Sequence, residues 1–591
     1  MENSENEHES QSERPCSSAD QNVLLQNDLS EGEKSAILAR RTKMYDCFKR
    51  LDIAEPKNSQ KEPVIAILGS GGGLRATIGL LGCLAELCNQ DLLDIVTYLC
   101  GTSGSTWCMA SLYCNDNWSE CMEDMEKKVC DNLTITNLNW PKMWEKLMQS
   151  SADDIQSLTD FWAYGVVHMM TNEINENKLS SHQKACENGN NPYPIYSAVE
   201  KKTELKRTAD PGIWFEFTPH RSGFPAYNCF VETSLLGSQF EDGKLMKKVP
   251  ERDLCYLQGL WGSAIAKTEY MWETIADSIQ NALKKSSCSN MENQDVPGLS
   301  CEDSIQNALR MSSCSNMENQ GVPGLSCEDT KHDCRGCRGL HVVLSEDLSK
   351  IKNLVKNQRI HHLALAIKGI MEAENEIPLI NGEDVDVEAL WEVLNNSSEL
   401  CQVSKLLYQA LISLARWEWG TTYNFLYQGK GMGSVPDELL NEKYLSLIDA
   451  GLVINAAFPL ILPPYRKVDL ILSFDFSAGD PFMTLKSTVK YCQENKIPFP
   501  KIHIEKQEEV NPSRNCYIFE EGEEVPIVMH FPLFNNQNCE GNVQEVKAKY
   551  PTRKLAYTES EIEELLQFSK MNVKLSREDI LRKLKHITEG I

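Results

Sequence analysis

The chain has 591 residues, of which 41% are hydrophobic and 24% are charged, the balance of an ordinary globular protein. Its 85 Asp and Glu residues outnumber its 59 Lys and Arg residues, giving a formal net charge of −26. This excess of acid argues against nucleic acid as a partner, because a polyanion is repelled by a surface of its own sign. No apolar run reaches the ~18 residues that a membrane span needs.

The N-terminal region has the composition of a cytoplasmic protein. Residues 1–33 are acidic and polar and contain no apolar signal core, so we interpret the 22 cysteines as reduced thiols. Residues 1–28 are poor in apolar side chains, and we expect them to be disordered. Ser30 and Glu33 then match a capping box, and apolar residues recur behind them at helical spacing, which predicts an amphipathic helix.

The next segments alternate between strand and helix patterns. Residues 63–68 form a continuous apolar run that ends in glycines, which is typical of a buried parallel strand. A helix is predicted at 77–88, a second buried strand at 95–100 and another helix at 106–113. A further central strand is predicted at 468–474. This alternation indicates an α/β sheet.

The middle of the chain contains an internal duplication. Residues 278–303 and 304–329 differ at three positions and are rich in Ser and Asn. Two units are fewer than a solenoid needs, so we interpret them as a mobile surface insertion at about 278–340. Four residues that can bind zinc follow, although they lie closer together than in a standard zinc finger, and a thiol-bearing loop is the alternative: His332, Cys334, Cys337 and His341.

A glycine-rich segment, Gly69 to Gly73, lies where the first predicted strand turns into a helix. It lacks the Lys of a Walker loop. Residues 71–76, GGGLRA, do match the dinucleotide fingerprint GxGxxA, but the second strand does not end in the acidic residue that would bind a ribose. The third alternative is an oxyanion hole, in which successive glycine amides at a helix N-terminus stabilise a developing negative charge.

The segment from Gly101 to Ser105 reads GTSGS and is similar to the GxSxG nucleophile motif, with Ser105 in place of the last glycine. A predicted strand precedes it and a helix follows, which is the context that this motif requires. The motif predicts Ser103 as a nucleophile. Together with the glycine-rich turn one strand–helix unit earlier, it favours the oxyanion hole.

A serine nucleophile needs a base. His220 and His530 lie in no recognisable motif, and we interpret both as structural residues. Asp475 follows the strand predicted at 468–474, and α/β enzymes collect polar groups at the carboxyl ends of such strands. The alternative role for Asp475 is a helix N-cap.

Three motifs, SGGGLRA, GTSGSTW and SFDFSAGDPF, occur in this order and resemble the group IV cytosolic phospholipases A2, most closely the gamma branch, which lacks a C2 domain. The resemblance runs from about residue 35 to 590. It implies a patatin-like α/β fold with a mostly parallel central sheet flanked by helices and covered by a cap or lid. The catalytic domain would then span residues 29–591, interrupted by the duplicated insertion.

The resemblance also implies a role for each motif residue. Ser103 would be the nucleophile and Asp475 its base, a pair without histidine. Gly72 and Gly73 would supply the oxyanion amides, and Arg75 would bind the substrate phosphate, for which a planar guanidinium is suited. No cofactor and no metal are implied. The family cleaves the sn-2 ester of glycerophospholipids through an acyl-serine, and also shows lysophospholipase and acyl-transfer activity.

The implied partners are glycerophospholipids, lysophospholipids and a membrane surface, with peripheral association at the endoplasmic reticulum and nuclear envelope. The sequence ends at Ile591 without the prenylation cysteine of the gamma relative. A basic amphipathic helix near the C-terminus, with Ile580, Leu584 and Ile587 on one face, would either lie in the membrane interface or pack on the catalytic domain.

We expect catalysis to be independent of calcium. The ~60 residues before the first predicted strand are fewer than the ~100 residues of a β-sandwich module, and the sequence contains no EF-hand pattern. Two other functions stay open as alternatives. One is a nucleotide-binding oxidoreductase, which leaves GTSGS and SFDFSAGD unexplained. The other is a catalytically weak relative that serves as a membrane-associated scaffold or lipid-binding protein.

Overall fold

A computed structural model describes most of the chain, namely residues 22–55, 62–134, 140–150, 155–201, 213–263, 380–381, 384–385, 418–433, 435–552 and 554–590. The predicted duplicated insertion and the four possible zinc ligands lie outside the described residues. The first 21 residues of the predicted disordered N-terminus also lie outside them.

A twelve-stranded mixed sheet forms the centre of the molecule, and two short hairpins stand apart from it. The strands in chain order are β1 (Val23–Leu25), β2 (Ile65–Gly69), β3 (Tyr98–Gly101), β4 (Tyr193–Glu200), β5 (Trp214–Phe217), β6 (Arg221–Phe224), β7 (Cys229–Glu232), β8 (Gln239–Glu241), β9 (Lys244–Lys247), β10 (Ile380–Asn381), β11 (Asp384–Val385), β12 (Thr421–Tyr423), β13 (Tyr444–Asp449), β14 (Leu470–Asp475), β15 (Tyr517–Phe519) and β16 (Ile527–Pro532).

Helices flank this sheet, and a π-helical segment at Trp162–Val167 joins two short ones. The described helices are α1 (Glu31–Arg50), α2 (Leu74–Asn89), α3 (Gly104–Leu112), α4 (Met122–Thr134), α5 (Trp140–Ser150), α6 (Leu158–Phe161), α7 (His168–Thr171), α8 (Gln183–Glu187), α9 (Leu254–Trp261), α10 (Asp437–Asn441), α11 (Phe458–Ile461), α12 (Met483–Asn495), α13 (Lys506–Val510), α14 (Val543–Lys549) and α15 (Glu559–Gly590).

The strands of the sheet are ordered β1-β7-β6-β5-β4-β3-β2-β14-β16-β15. Off this path, β13 pairs antiparallel with the last residues of β4, and β12 pairs antiparallel with β13. The central strands, from β4 through β3, β2 and β14 to β16, are parallel, and the outer strands are antiparallel. Strands β2, β3 and β14 are buried along their whole length, as expected for apolar strands covered on both faces. The predicted α/β fold is therefore confirmed.

This topology places the three sequence motifs at one edge of the sheet. Strand β2 lies between β3 and β14 and runs parallel to both. The carboxyl ends of the three strands consequently meet, and each of them leads directly into one of the predicted motifs. The glycine-rich turn follows β2, the Ser103 turn follows β3, and Asp475 is the last residue of β14.

The prediction of disorder over residues 1–28 is wrong for residues 22–28. Strand β1 pairs antiparallel with β7 and forms one edge of the sheet, so that Val23 faces Val231. Val23 is buried. A short apolar run beside an open sheet edge can form ladder hydrogen bonds and bury side chains, which outweighs the polar composition around it.

Helix α1 begins as predicted, but only one of the two hydrogen bonds of the capping box forms. The Glu33 carboxylate does not accept from the Ser30 amide. The Ser30 hydroxyl accepts a hydrogen bond from the Glu33 amide at 3.1 Å. The Glu33 carboxylate instead lies 3.1 Å from Arg466, which also lies 2.8 Å from Glu216. Glu216 in turn lies 3.6 Å from Arg221. These four buried charges alternate in sign and sum to zero, which is how a protein tolerates ions without solvent.

Helix α15 packs on helix α2 of the catalytic domain instead of presenting its apolar face to a membrane. Ile580, Leu584 and Ile587 are buried. The two helices approach closely at Gly82, where an added Cβ would lie 2.9 Å from the Ser569 Cβ. Of the two alternatives for this helix, packing on the domain is therefore the correct one. Within the described ranges, no helix combines the length and hydropathy that crossing a membrane requires.

Candidate active site

Ser103 occupies a strained turn between β3 and α3. It is the N-cap of α3 with φ 51° and ψ −125°, a backbone conformation that is almost restricted to glycine. Holding a residue with a side chain there costs about 1–3 kcal/mol, and such strain is concentrated at functional sites. A sharp strand-to-helix turn of this kind is how the GxSxG motif presents its serine at the edge of the sheet.

The glycine-rich turn packs directly against the Ser103 turn. Gly73 has φ 59° and ψ −142°, close to the conformation of Ser103. A Cβ added to Gly104 would lie 2.0 Å from the Gly73 carbonyl oxygen, and one added to Gly71 would lie 2.9 Å from the Ser103 Cβ. Side chains would therefore separate the two turns, and glycine at these positions allows the contact.

Two amides of this turn remain available for a ligand. The Gly71 amide donates to the Asn455 carbonyl at 2.9 Å. No described residue accepts a hydrogen bond from the amide of Gly72 or Gly73. Both residues directly precede α2, whose N-terminus carries a partial positive charge. The turn can therefore stabilise an anion beside Ser103, which is the chemistry expected of an oxyanion hole.

Asp475 is buried at the end of β14, with only 1% of its surface exposed. Its carboxylate accepts hydrogen bonds from the Ser477 amide at 2.9 Å and from the Thr484 hydroxyl at 3.1 Å. Burial raises the pKa of Asp475, and the nearby His530 and these two hydrogen bonds oppose that rise. The helix N-cap alternative is wrong, because α12 begins at Met483 and its N-cap is Phe482.

The glycine-rich turn lies between Ser103 and the loop that follows Asp475. A Cβ added to Gly72 would lie 2.8 Å from the Phe476 carbonyl oxygen. In the described part of the chain, no hydrogen bond joins the Ser103 hydroxyl to Asp475 or to any other residue. The structure thus brings the predicted nucleophile and base to the same edge of the sheet without a hydrogen bond between them.

Asn455, Ser477 and Thr484 are site residues that the sequence analysis missed. The Asn455 side-chain amide donates to the Gly71 carbonyl at 3.2 Å and to the Ser477 hydroxyl at 2.8 Å, and so links the glycine-rich turn to the loop after Asp475. Ser477 follows Asp475 by two residues, a spacing typical of side-chain-to-backbone turns that signals its role. No comparable signal marks Asn455 or Thr484.

His530 and His220 have structural contacts, as interpreted from the sequence. The His530 Nε2 lies 2.9 Å from the Pro481 carbonyl. Because a carbonyl can only accept a hydrogen bond, Nε2 carries the proton. The other ring nitrogen, Nδ1, lies 3.1 Å from the Ser473 hydroxyl. Burial lowers the pKa of His530 and favours this neutral form. His220 stacks on Tyr193 and contacts its hydroxyl at 2.9 Å.

Arg75 lies in the first turn of α2, where it is buried and bonded to protein groups. Its Nε donates to the Phe476 carbonyl at 2.8 Å, and its two terminal nitrogens donate to the Tyr550 carbonyl and to the Thr552 hydroxyl. Because a guanidinium has five N–H donors, two remain for a ligand. Arg75 therefore connects the loop after Asp475 to the segment that follows α14.

Comparisons with known proteins show which family the chain belongs to. Residues 65–529 match the family model described as the lysophospholipase catalytic domain. The chain is 38% identical to human cytosolic phospholipase A2 gamma over 565 residues, 95% of both chains. The mouse protein of the same name is 36% identical over 575 residues, covering 95% of this chain and 91% of the relative.

The fold is also that of a solved relative. The structure of human GIVD cytosolic phospholipase A2 superposes with a TM-score of 0.66 at 24% identity, covering 97% of this chain and 69% of that one. With the family model spanning most of the chain and relatives matching along nearly their whole length, the chain belongs to the cytosolic phospholipase A2 family and is an ester hydrolase of the phospholipase A2 and lysophospholipase class.

Proposed function

We propose that this protein hydrolyses the sn-2 acyl ester of glycerophospholipids through an acyl intermediate on Ser103, with Asp475 as the base. The observation that carries the proposal is the strained Ser103 turn packed on a glycine turn whose Gly72 and Gly73 amides have no acceptor among the described residues. A nucleophile beside two free amides is the arrangement that acyl transfer needs.

In the first step the Ser103 hydroxyl attacks the ester carbonyl while Asp475 takes its proton. The Gly72 and Gly73 amides donate to the oxygen of the tetrahedral intermediate. Each Asp475 oxygen accepts one hydrogen bond and has a further lone pair for the Ser103 proton. Catalytic hydrogen bonds are often long without substrate and shorten in the Michaelis complex, so we expect the two side chains to come into contact when substrate binds.

In the second step the alkoxide of the lysophospholipid leaves and receives the proton held by Asp475. Water then attacks the acyl-serine, with Asp475 again as base, and releases the fatty acid. An alcohol in place of water would give acyl transfer, and a lysophospholipid in place of the diacyl lipid would give lysophospholipase activity. We include both activities in the proposal, together with peripheral association with intracellular membranes, where the substrate resides.

Labelling and turnover test this proposal together. A fluorophosphonate probe should label the wild-type protein at Ser103, as identified by peptide mass spectrometry. Purified protein should release free fatty acid from the sn-2 position of phosphatidylcholine. The alternative is a catalytically weak lipid-binding relative, in which Ser103 and Asp475 stay apart when lipid is bound. Lipid binding without release of fatty acid or labelling would establish that alternative.

We expect Arg75→Lys to lower kcat/KM for a phospholipid more than kcat/KM for a phosphate-free ester of the same acyl chain. A charge-assisted hydrogen bond is worth about 1.5–3 kcal/mol, which corresponds to roughly 10-fold to 100-fold in the ratio of the two values. Parallel kinetics on the two esters measure this ratio. An equal loss on both would mean that Arg75 only holds the Phe476 and Tyr550 carbonyls in place.

Catalysis is expected to proceed without calcium. The proposed mechanism assigns the nucleophile, the base and the oxyanion donors to protein groups, so that each step is complete without a divalent cation. Hydrolysis of phosphatidylcholine vesicles and of a monomeric ester should therefore be the same in excess EGTA as in added calcium. If the chelator abolishes hydrolysis of the monomeric ester, the chemistry itself requires the ion.

A further inference from the structure

Lys547 is a second cation beside the catalytic loop, in addition to Arg75. It lies near the end of α14, and its Nζ donates to the Gly479 carbonyl at 3.0 Å. Arg75 binds the Phe476 carbonyl of the same loop, which directly follows Asp475. Lys547 is also close to Tyr550, whose carbonyl accepts from Arg75 and whose amide donates to the Lys547 carbonyl at 3.1 Å.

Arg75 is poorly placed to neutralise a substrate phosphate alone. The residue is 1% exposed, and three of the five donors of its guanidinium are bonded to protein oxygens. Two donors remain for a group that can accept several hydrogen bonds. A phosphodiester bound here would therefore keep unsatisfied oxygens unless another donor reached it.

Lys547, by contrast, has donors to spare. Its ammonium has three N–H groups, and the Gly479 carbonyl takes one. No described carboxylate forms an ion pair with it. The nearby Asp480 is bonded to Lys486 at 2.7 Å and to the Phe482 amide at 2.9 Å. Burial lowers the pKa of Lys547, and the proximity of Asp475 opposes that fall.

The surroundings of Lys547 are open to a ligand. Ala478 and Gly479 are exposed, and a Cβ added to Gly479 would meet nothing within 4 Å. In a glycerophospholipid only two glycerol carbons and one oxygen separate the sn-2 ester oxygen from the phosphorus. A phosphate ligand must consequently lie close to the catalytic pair, which is where this loop places the Lys547 ammonium.

We propose that Lys547 binds the phosphodiester of the substrate together with Arg75, forming a two-cation headgroup site. The ammonium keeps its bond to the Gly479 carbonyl and donates its two remaining N–H groups to anionic oxygens, and a charge-assisted hydrogen bond is about twice as strong as a neutral one. The bridging phosphate also relieves the repulsion between the two cations. This inference rests on the proposed function, because it assigns the headgroup of that substrate.

The test compares Lys547→Gln with Lys549→Gln. Lys549 lies two residues further along α14, is exposed and pairs with Glu564 at 3.4 Å, so it is a matched control for charge. A monomeric short-chain phosphatidylcholine and a phosphate-free ester of the same acyl chain serve as substrates, which removes membrane adsorption from the measurement. We expect Lys547→Gln to lower the ratio of kcat/KM for the two substrates about tenfold, equivalent to ~1.4 kcal/mol. Lys549→Gln should leave this ratio at the wild-type value, and Lys547→Arg should restore most of it.

A binding measurement separates failure of this inference from failure of the proposed function. Glycerophosphocholine should inhibit hydrolysis of the phosphate-free ester about tenfold more weakly in Lys547→Gln than in the wild type. Equal inhibition, or an unchanged substrate ratio, would overturn the assignment of Lys547 while leaving phospholipase activity intact. Equal losses on both esters would assign Lys547 to positioning of the catalytic loop and also overturn it. A wild-type protein that hydrolyses the neutral ester but no phosphatidylcholine would instead refute the proposed function.

Discussion

Ser103→Ala is expected to abolish ester hydrolysis while leaving the fold intact. The variant loses the nucleophile, and only the ~10³–10⁴-fold acceleration over water that comes from binding and the oxyanion hole would remain. Alanine keeps the Cβ, and so the backbone strain of the turn is unchanged. The Ser103 hydroxyl bonds to no described residue, so its removal should shift the free energy of unfolding little. Release of fatty acid and thermal unfolding measure the two expectations.

Ser103→Gly removes the nucleophile and also tests whether the backbone at this position is strained. Glycine relieves a backbone conformation that costs about 1–3 kcal/mol, against ~0.5–1 kcal/mol of extra entropy in the unfolded chain. This inactive variant should therefore unfold at the same temperature as Ser103→Ala or above it. Ser111→Ala, in the same helix α3 but bonded to Glu173, is the active control. Near-normal hydrolysis by a folded Ser103→Ala protein would remove Ser103 from the mechanism.

Local patterns in the sequence predict the strands that carry the candidate site well. The apolar runs that became β2, β3 and β14 are buried on both faces, so each is continuous and easily recognised. Ser103 lies in a motif whose strand-to-helix context is itself local. The predicted boundaries were less accurate: α2 begins at Leu74, three residues before the predicted start, because the glycine-rich segment leads straight into it.

The partners of the buried charged side chains could not be predicted from the sequence, because they lie far away along the chain. The guanidinium of Arg75 bonds to carbonyls 401 and 475 residues away, and Glu33 pairs with Arg466 across 433 residues. A buried ion needs a partner, but its local sequence does not say which of many opposite charges will be adjacent after folding. The same limit applies to α15, whose amphipathic pattern fits both a membrane surface and packing against α2.

Asp475→Asn should lower kcat by about 10²–10⁴-fold, the usual contribution of a general base. The substitution keeps the size of the side chain, and the asparagine oxygen can still accept from the Ser477 amide, so folding should be little affected. In the wild type Asp475 must be ionised to accept a proton. Because its pKa is raised above the usual aspartate value, activity should fall as the pH drops through that raised pKa.

The pH profiles of two variants identify the group whose protonation causes the loss of activity at low pH. Thr484→Val removes a hydrogen bond that favours the charged carboxylate, so the pKa of Asp475 should rise and the acid limb of kcat should move to higher pH. With a charged hydrogen bond worth about 1.5–3 kcal/mol, the expected displacement is about one to two pH units. Asp475→Asn should lose this acid limb altogether. A limb that persists in Asp475→Asn, or stays in place in Thr484→Val, would assign the titration to another group. His530 would have to break its bond to Ser473 or Pro481 to serve as that group.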